Sequence, residues 1–166
     1  MDGWKQYTRA GGGYMNSLEI LEDEACKDGI EIIERPFSNR IKGLYCDYVV
    51  ALNQNLSDTE KACTLAEELG HHYTTSGNIL DLSQAENRKQ ERRARIWANN
   101  KQIGLKGLIN AYEHGCRNKH EIAEYLDVTE SFLEEAVNCY QEKYGVCTKI
   151  DNYIIYFNPL GILSLR

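Results

Sequence analysis

The sequence predicts an α+β fold, and three observations carry the prediction. A block rich in aromatic and β-branched residues, Gly43 to Asn53, precedes a capped helical segment that begins at Ser57. A second helical segment from about Ala85 to Asn100 follows, and further helices are expected between Leu105 and Tyr144. The tail, Val146 to Leu165, alternates in the manner of strands. A small β-sheet, a helix pair, a helical annex and a C-terminal β-hairpin is the arrangement these patterns imply.

The length of 166 residues allows one compact domain or one domain with a small annex. By pattern the chain divides into residues 1–14, a leader or disordered start, residues 15–100, the body, residues 101–144, the annex, and residues 145–166, the hairpin packed on the body. With 42% hydrophobic and 27% charged residues the composition is that of a globular protein able to bury a core. A formal net charge of -6 speaks against general affinity for nucleic-acid phosphates or anionic lipid. No apolar run reaches the roughly 18 to 20 residues that cross a bilayer, and no basic-then-apolar secretory pattern opens the chain. The expectation is a soluble, cytoplasmic protein. Six cysteines without a CxxC pair suggest reduced thiols and give no support to a cysteine zinc cage.

In chain order, Leu18, Leu21, Ala25 and Cys26 recur at helical spacing from Asn16 on, and the helix should stop near Gly29. A short strand, Ile30 to Glu34, follows. The Gly43–Asn53 block should double back at Cys46-Asp47-Tyr48 as a hairpin. Ser57-Asp58-Thr59-Glu60 is a capping box, in which the Ser hydroxyl and the Glu carboxylate each satisfy a backbone donor left over at the helix start. A looser stretch from Thr74 to Ser83 separates this helix from the next. In the tail, Asp151-Asn152 reads as a turn and Pro159–Gly161 as a break.

The chemistry concentrates in Glu67-Glu68-Leu69-Gly70-His71. At 100° per residue Ala62, Leu65, Ala66 and Leu69 share one helix face, while Glu67 and His71 share the opposite one. The segment is one letter from H-E-x-x-H, where residues at i and i+4 bind zinc and the intervening Glu handles a proton. Glu carboxylate is itself a zinc ligand, so Glu67 changes the charge of such a site without removing its geometry. Taken alone, E-E-x-x-H also occurs on acidic surface helices. In the second helix Glu91 shares a face with the small Ala94 and Ala98, so its carboxylate could reach inward as a third ligand, or it could simply offset Arg92, Arg93 and Arg95. His72 lies 100° round from His71, which favours a packing or ligand-supporting role over ligation.

These residues resemble the ImmA/IrrE-type metallopeptidases. The resemblance runs through the Gly43–Asn53 hairpin, the Glu60–His71 helix, Tyr73-Thr74-Thr75 and Lys89–Ala98, about half of the chain. The family pattern H-E-[LIF]-G-H followed by E-x-x-A-x-x-[FW]-A falls on Glu67–His71 and Glu91–Ala98, and only the first ligand departs from it. The resemblance implies a zincin-like minimal metallopeptidase in residues 15–100, with Glu67, His71 and Glu91 as metal ligands and Glu68 as general base. It further implies Zn2+ as cofactor and, as protein substrate, a phage-type helix-turn-helix repressor in a bacterial host. Two carboxylate ligands would leave a divalent site formally neutral, so slower turnover is expected, and Mn2+ or Fe2+ become conceivable occupants. An inactive relative that binds the repressor is the alternative.

Lys119 to Val137 has the rhythm of a helix-turn-helix, with a tight turn near Asp127 and a second helix capped by Thr129. Glu130, Glu134 and Glu135 would repel phosphates, so direct DNA binding is not expected; partner docking or plain packing remains. Arg88, Lys89, Arg92, Arg93 and Arg95 read as one broad solvated face opposite Glu91, or as a surface for an acidic partner. Tyr140, Tyr144, Tyr153 and Tyr156 are expected to line the seam between the last helix and the terminal strands, and His114, Cys116 and His120 are taken as structural.

Overall fold

The computed structural model describes residues 15–74 and 85–165. The glycine-rich start and the stretch around Gly77 therefore lie outside the described residues. Helix α1 (Ser17–Lys27) opens with Asn16 in a capping box with Glu19 and closes before Gly29 at φ 75°. Its buried stripe, Leu18, Leu21 and Ala25, covers a three-stranded sheet. That sheet has the order β1 (Glu31–Arg35), β3 (Val49–Asn53), β2 (Gly43–Cys46), with β1 parallel and β2 antiparallel to β3. The β2–β3 hairpin turns on Asp47 and Tyr48 at φ 45° and 64°, the left-handed pair that a two-residue hairpin loop requires. Strand β2 is an edge of the sheet.

Helix α2 (Asp58–Thr74) starts at the expected box: Ser57 N–H donates to Glu60 Oε2 at 2.9 Å and Glu60 N–H to Ser57 Oγ at 3.3 Å. Its inner face, with Ala62, Leu65, Ala66 and Leu69, is fully buried. Lys61 ties it to β1 through Glu34 at 2.7 Å. Helix α3 (Ala85–Gln102) crosses α2 so closely that a Cβ on Gly70 would stand 2.5 Å from the Ala94 carbonyl oxygen. Ala94 and Ala98, buried and small, are what permit that approach.

Three helices follow: α4 (Gly104–His114), α5 (Lys119–Tyr125) and α6 (Glu130–Tyr144). As the sequence predicts, Thr129 caps α6 and Asp127 makes the tight turn, at φ 51°. The turn is tied to the body, because Thr59 Oγ1 donates to Asp127 Oδ1 at 2.9 Å. One apolar cluster runs from Leu18 through Leu65 to Tyr140 and Phe157.

Two expectations are corrected. Where a hairpin breaking at Pro159 is predicted, the chain turns there and returns, so β4 (Cys147–Ile150), β5 (Tyr153–Phe157) and β6 (Leu160–Ser164) form a three-stranded antiparallel sheet. Proline lacks a ladder donor but is tolerated in the turn itself, so it punctuates the strands without ending the sheet. Tyr156 does not line the seam: β5 alternates, Ile155 and Phe157 point inward, and Tyr156 is left exposed. Tyr140 is fully buried and Tyr144 stacks on Phe157, as expected. The six cysteines are free thiols. Among the described residues no helix is long and apolar enough to cross a membrane.

Candidate metal centre

The α2–α3 crossing sets the site. Gly70 and Ala94 are the touching point, His71 follows the first by one residue, and Glu91 lies one turn before the second. His71 Nε2 accordingly stands 3.5 Å from Glu91 Oε2. Glu67 is one turn earlier on α2, and Glu67, Glu68, His71, Glu91, Ala94 and Arg95 line a single cavity of about 180 Å³, with Lys42 and Glu135 completing its wall.

Strand β2 roofs the cavity from the other side. A Cβ on Gly43 would meet Thr64 Cγ2 at 2.6 Å and Glu68 Oε1 at 3.3 Å, so the strand lies directly on α2 over the Glu68 carboxylate. The backbone N–H of Tyr45 faces that carboxylate and favours its ionised form, against the effect of burial. In the hairpin register Tyr45 faces Val50 and Gly43 faces Leu52 as non-hydrogen-bonded pairs, which turns their main-chain groups to the open edge. Lys42 is delivered by the preceding loop, whose carbonyls at Phe37, Ser38 and Ile41 all accept from the buried Asn53 Nδ2.

Electrostatics follow from this confinement. Burial, then the Glu135 carboxylate, pushes Glu67 up to about 6, with Arg95 and Lys42 opposing. Burial and the neighbouring Glu67 and Glu91 push Glu68 up to about 7. Burial lowers the pKa of His71 below its ordinary value, against the pull of Glu91, so its imidazole is neutral near pH 7 and keeps a lone pair to offer. Among the described residues, Glu67, Glu68, Glu91 and Glu135 share the cavity wall with Lys42 and Arg95, four formal negative charges against two positive ones.

The donor set fits a divalent cation. The formal excess of negative charge favours a cation, and a neutral imidazole with carboxylates is an accepted ligand set. The His71–Glu91 separation of 3.5 Å is long for a hydrogen bond. It is close to the roughly 3.4 Å between two ligands that share a tetrahedral ion at about 2.1 Å. Among the described residues no three His, Cys, Asp or Glu side chains stand close enough to form a metal-binding group. Thus Glu67 shares the cavity but has not closed on the His71–Glu91 pair.

His72 packs between tyrosines, with Nδ1 2.6 Å from the Tyr45 hydroxyl and its ring edge-on to Tyr45, Tyr48 and Tyr73. Arg95 is a correction: it does not stand opposite Glu91 but donates from Nε to Glu91 Oε1 at 2.8 Å. The i,i+4 spacing already carried that signal, since such residues are neighbours on a helix surface. Glu135 and Lys42 come from elements whose approach depends on tertiary packing, and nothing local in the sequence announces them. Larger recesses, about 320 Å³ beside His114 and Cys116 and about 300 Å³ between Leu108 and Ile162, lack this convergence of acids and imidazole.

The profile of the IrrE N-terminal-like domain of the M78 peptidases matches residues 25–138, well over half of the chain and all of the cavity's lining. Among curated proteins none matches the chain.

Proposed function

This chain belongs to the IrrE N-terminal-like family of M78 peptidases, and we propose that it is a metal-dependent endopeptidase whose substrate is a phage-type helix-turn-helix repressor. Its cofactor is Zn2+, with Mn2+ or Fe2+ as alternatives suited to an oxygen-rich donor set, and the residues that would hold it are Glu67, His71 and Glu91. With a divalent ion held there, those residues would supply a Lewis acid able to polarise the scissile carbonyl and acidify a water. The observation that carries the reading is that Glu68 lines the same cavity as His71 and Glu91 while its carboxylate lies against β2 at Gly43.

An extended peptide adds to β2 as a fourth strand, using the outward main-chain groups of Gly43 and the carbonyl of Tyr45, whose N–H is turned to Glu68. Its scissile bond then lies over Glu68. The Glu68 carboxylate takes the proton of the attacking water and passes it to the leaving amine, and the Tyr45 N–H holds that carboxylate toward the strand. Lys42 and Arg95 flank the cleft and offset the carboxylates. The repressor as substrate rests on the resemblance of the E-E-L-G-H and E-x-x-A-x-x-W-A segments to ImmA/IrrE-type proteins; in this reading the protein acts in the cytoplasm of a bacterial host.

One observation favours a second reading. Glu67 replaces the first histidine of the motif, which lowers the charge available to activate water and is compatible with a relative that binds the repressor without cutting it. Incubation of the Zn2+-loaded protein with the repressor encoded beside its gene separates the two. Fragments that disappear with Glu68→Gln support the peptidase, a stable complex without fragments supports the binder, and neither outcome sinks both.

A further inference from the structure

The Glu91 carboxylate is divided between two neighbours. Oε1 accepts from Arg95 Nε at 2.8 Å, and Oε2 faces His71 Nε2 at 3.5 Å. The side chain of Glu91 is 22% exposed while that of Arg95 is 54% exposed, so the arginine lies over the rim and reaches in with its Nε. We propose that Arg95 is a positioning residue for the cation site, pinning Oε1 of Glu91 so that Oε2 is presented beside His71. The inference rests on the metal-binding reading of Glu67, His71 and Glu91 given above.

A glutamate side chain has three rotatable bonds before its carboxylate, and presenting one chosen oxygen costs the freedom of all three. A charge-assisted hydrogen bond from a residue one helical turn away fixes that rotamer in advance, so the entropy is lost at folding and not at binding. Hydrogen-bond partners of ligating carboxylates typically carry 10- to 100-fold in metal affinity. An opposing effect exists, because a guanidinium near a cation repels it. The geometry decides between them: if Arg95 competed with the ion it would hold the oxygen that faces His71, and it holds the other one.

The test measures Zn2+ affinity of the whole protein by competition with a chromophoric chelator, alongside thermal melting of the metal-free forms. Arg95→Leu should weaken binding about tenfold or more. Melting of the metal-free protein should stay within a degree or two, since the side chain is exposed, and Arg95→Lys should recover part of the loss. In a Glu91→Ala background the same Arg95→Leu change should cost much less, because the pinned carboxylate is gone and only the charge of the arginine near Glu67 is lost. Unchanged or tighter binding by Arg95→Leu overturns the proposal, as does an equal loss in both backgrounds. If the wild-type protein itself fails to bind Zn2+, the metal-site reading falls, which is a different result from a wild type that binds and a variant that binds equally well.

Discussion

Two helix pairs in this protein carry clusters of glutamates and treat them in opposite ways. Where α2 crosses α3, Glu67, Glu68 and Glu91 converge with Glu135 of α6 on one small cavity, and burial pushes Glu67 to about 6 and Glu68 to about 7. Along α5 and α6, Glu130 and Glu134 are 59% and 60% exposed and meet His120 at 2.9 Å and Lys119 at 3.1 Å. The side chains are chemically identical; what differs is how far two backbones approach and how much water they exclude. A helix pair that touches at Gly70 and Ala94 raises the pKa of the carboxylates it confines. The pair joined by an Asp127 turn leaves them as solvated charges.

The contact at Gly70 is therefore where the comparison breaks most easily. Gly70→Ala would place a methyl 2.5 Å from the Ala94 carbonyl oxygen and 3.1 Å from its carbon, both backbone atoms that cannot rotate aside. In an ordinary helix interior this substitution gains up to about 1 kcal/mol. Here a loss of about 1–3 kcal/mol is expected from overpacking, read as a lower denaturation midpoint at an unchanged m-value. Zn2+ affinity should fall with it as α3 moves off α2 and Glu91 off His71. A Gly70→Ala protein as stable as wild type would mean that the close crossing is not what confines the carboxylates.

The second prediction sharpens the comparison through pH. Glu68 has an ordinary pKa of 4.5 and a folded one of about 7, so folding favours its protonated form. The stability this provides is complete below about 4.5 and is lost as pH rises through about 7. Metal-free Glu68→Gln, which cannot ionise, should match wild type near pH 4.5 and exceed it near pH 8 by on the order of 3 kcal/mol. His71 works with the opposite sign: its lowered pKa makes its contribution fade as pH falls, but it is present in both proteins and drops out of the difference. Parallel stability curves for the two proteins from pH 4.5 to 8 would mean that Glu68 is not confined as the cavity implies.

How much of this was legible in the sequence depends on the range of the interactions involved. The α2 capping box, the hairpin turn at Asp47-Tyr48, the Thr129 cap and the Asp127 turn are set by residues three or four apart, and each stands where the pattern places it. The pairing of His71 with Glu91 was legible because small residues at Ala94 and Ala98 predict a close helix crossing. Arg95 was placed on the wrong side, although its spacing from Glu91 was a sufficient clue. Glu135 and Lys42 had no clue, because α6 and the loop held by Asn53 reach the cavity through packing that no local spacing encodes. The third strand of the C-terminal sheet was lost by reading a turn proline as an end.

The smallest expected effect lies on the solvated side of the comparison. Lys119 and Glu134, 51% and 60% exposed and 3.1 Å apart, link α5 to α6 across water. Such a pair gains little Coulomb energy at high dielectric and spends side-chain entropy to hold its geometry, so it typically contributes about 0.2–1 kcal/mol. Glu134→Ala should cost less than about 0.5 kcal/mol by urea denaturation at low salt. That cost should vanish near 1 M salt, where the screening length shrinks to about 3 Å. A loss well above 1 kcal/mol that survives high salt would show that α5 and α6 shield this pair from water. The acidic annex would then be organised on the same principle as the cavity, and burial would no longer separate the two regions.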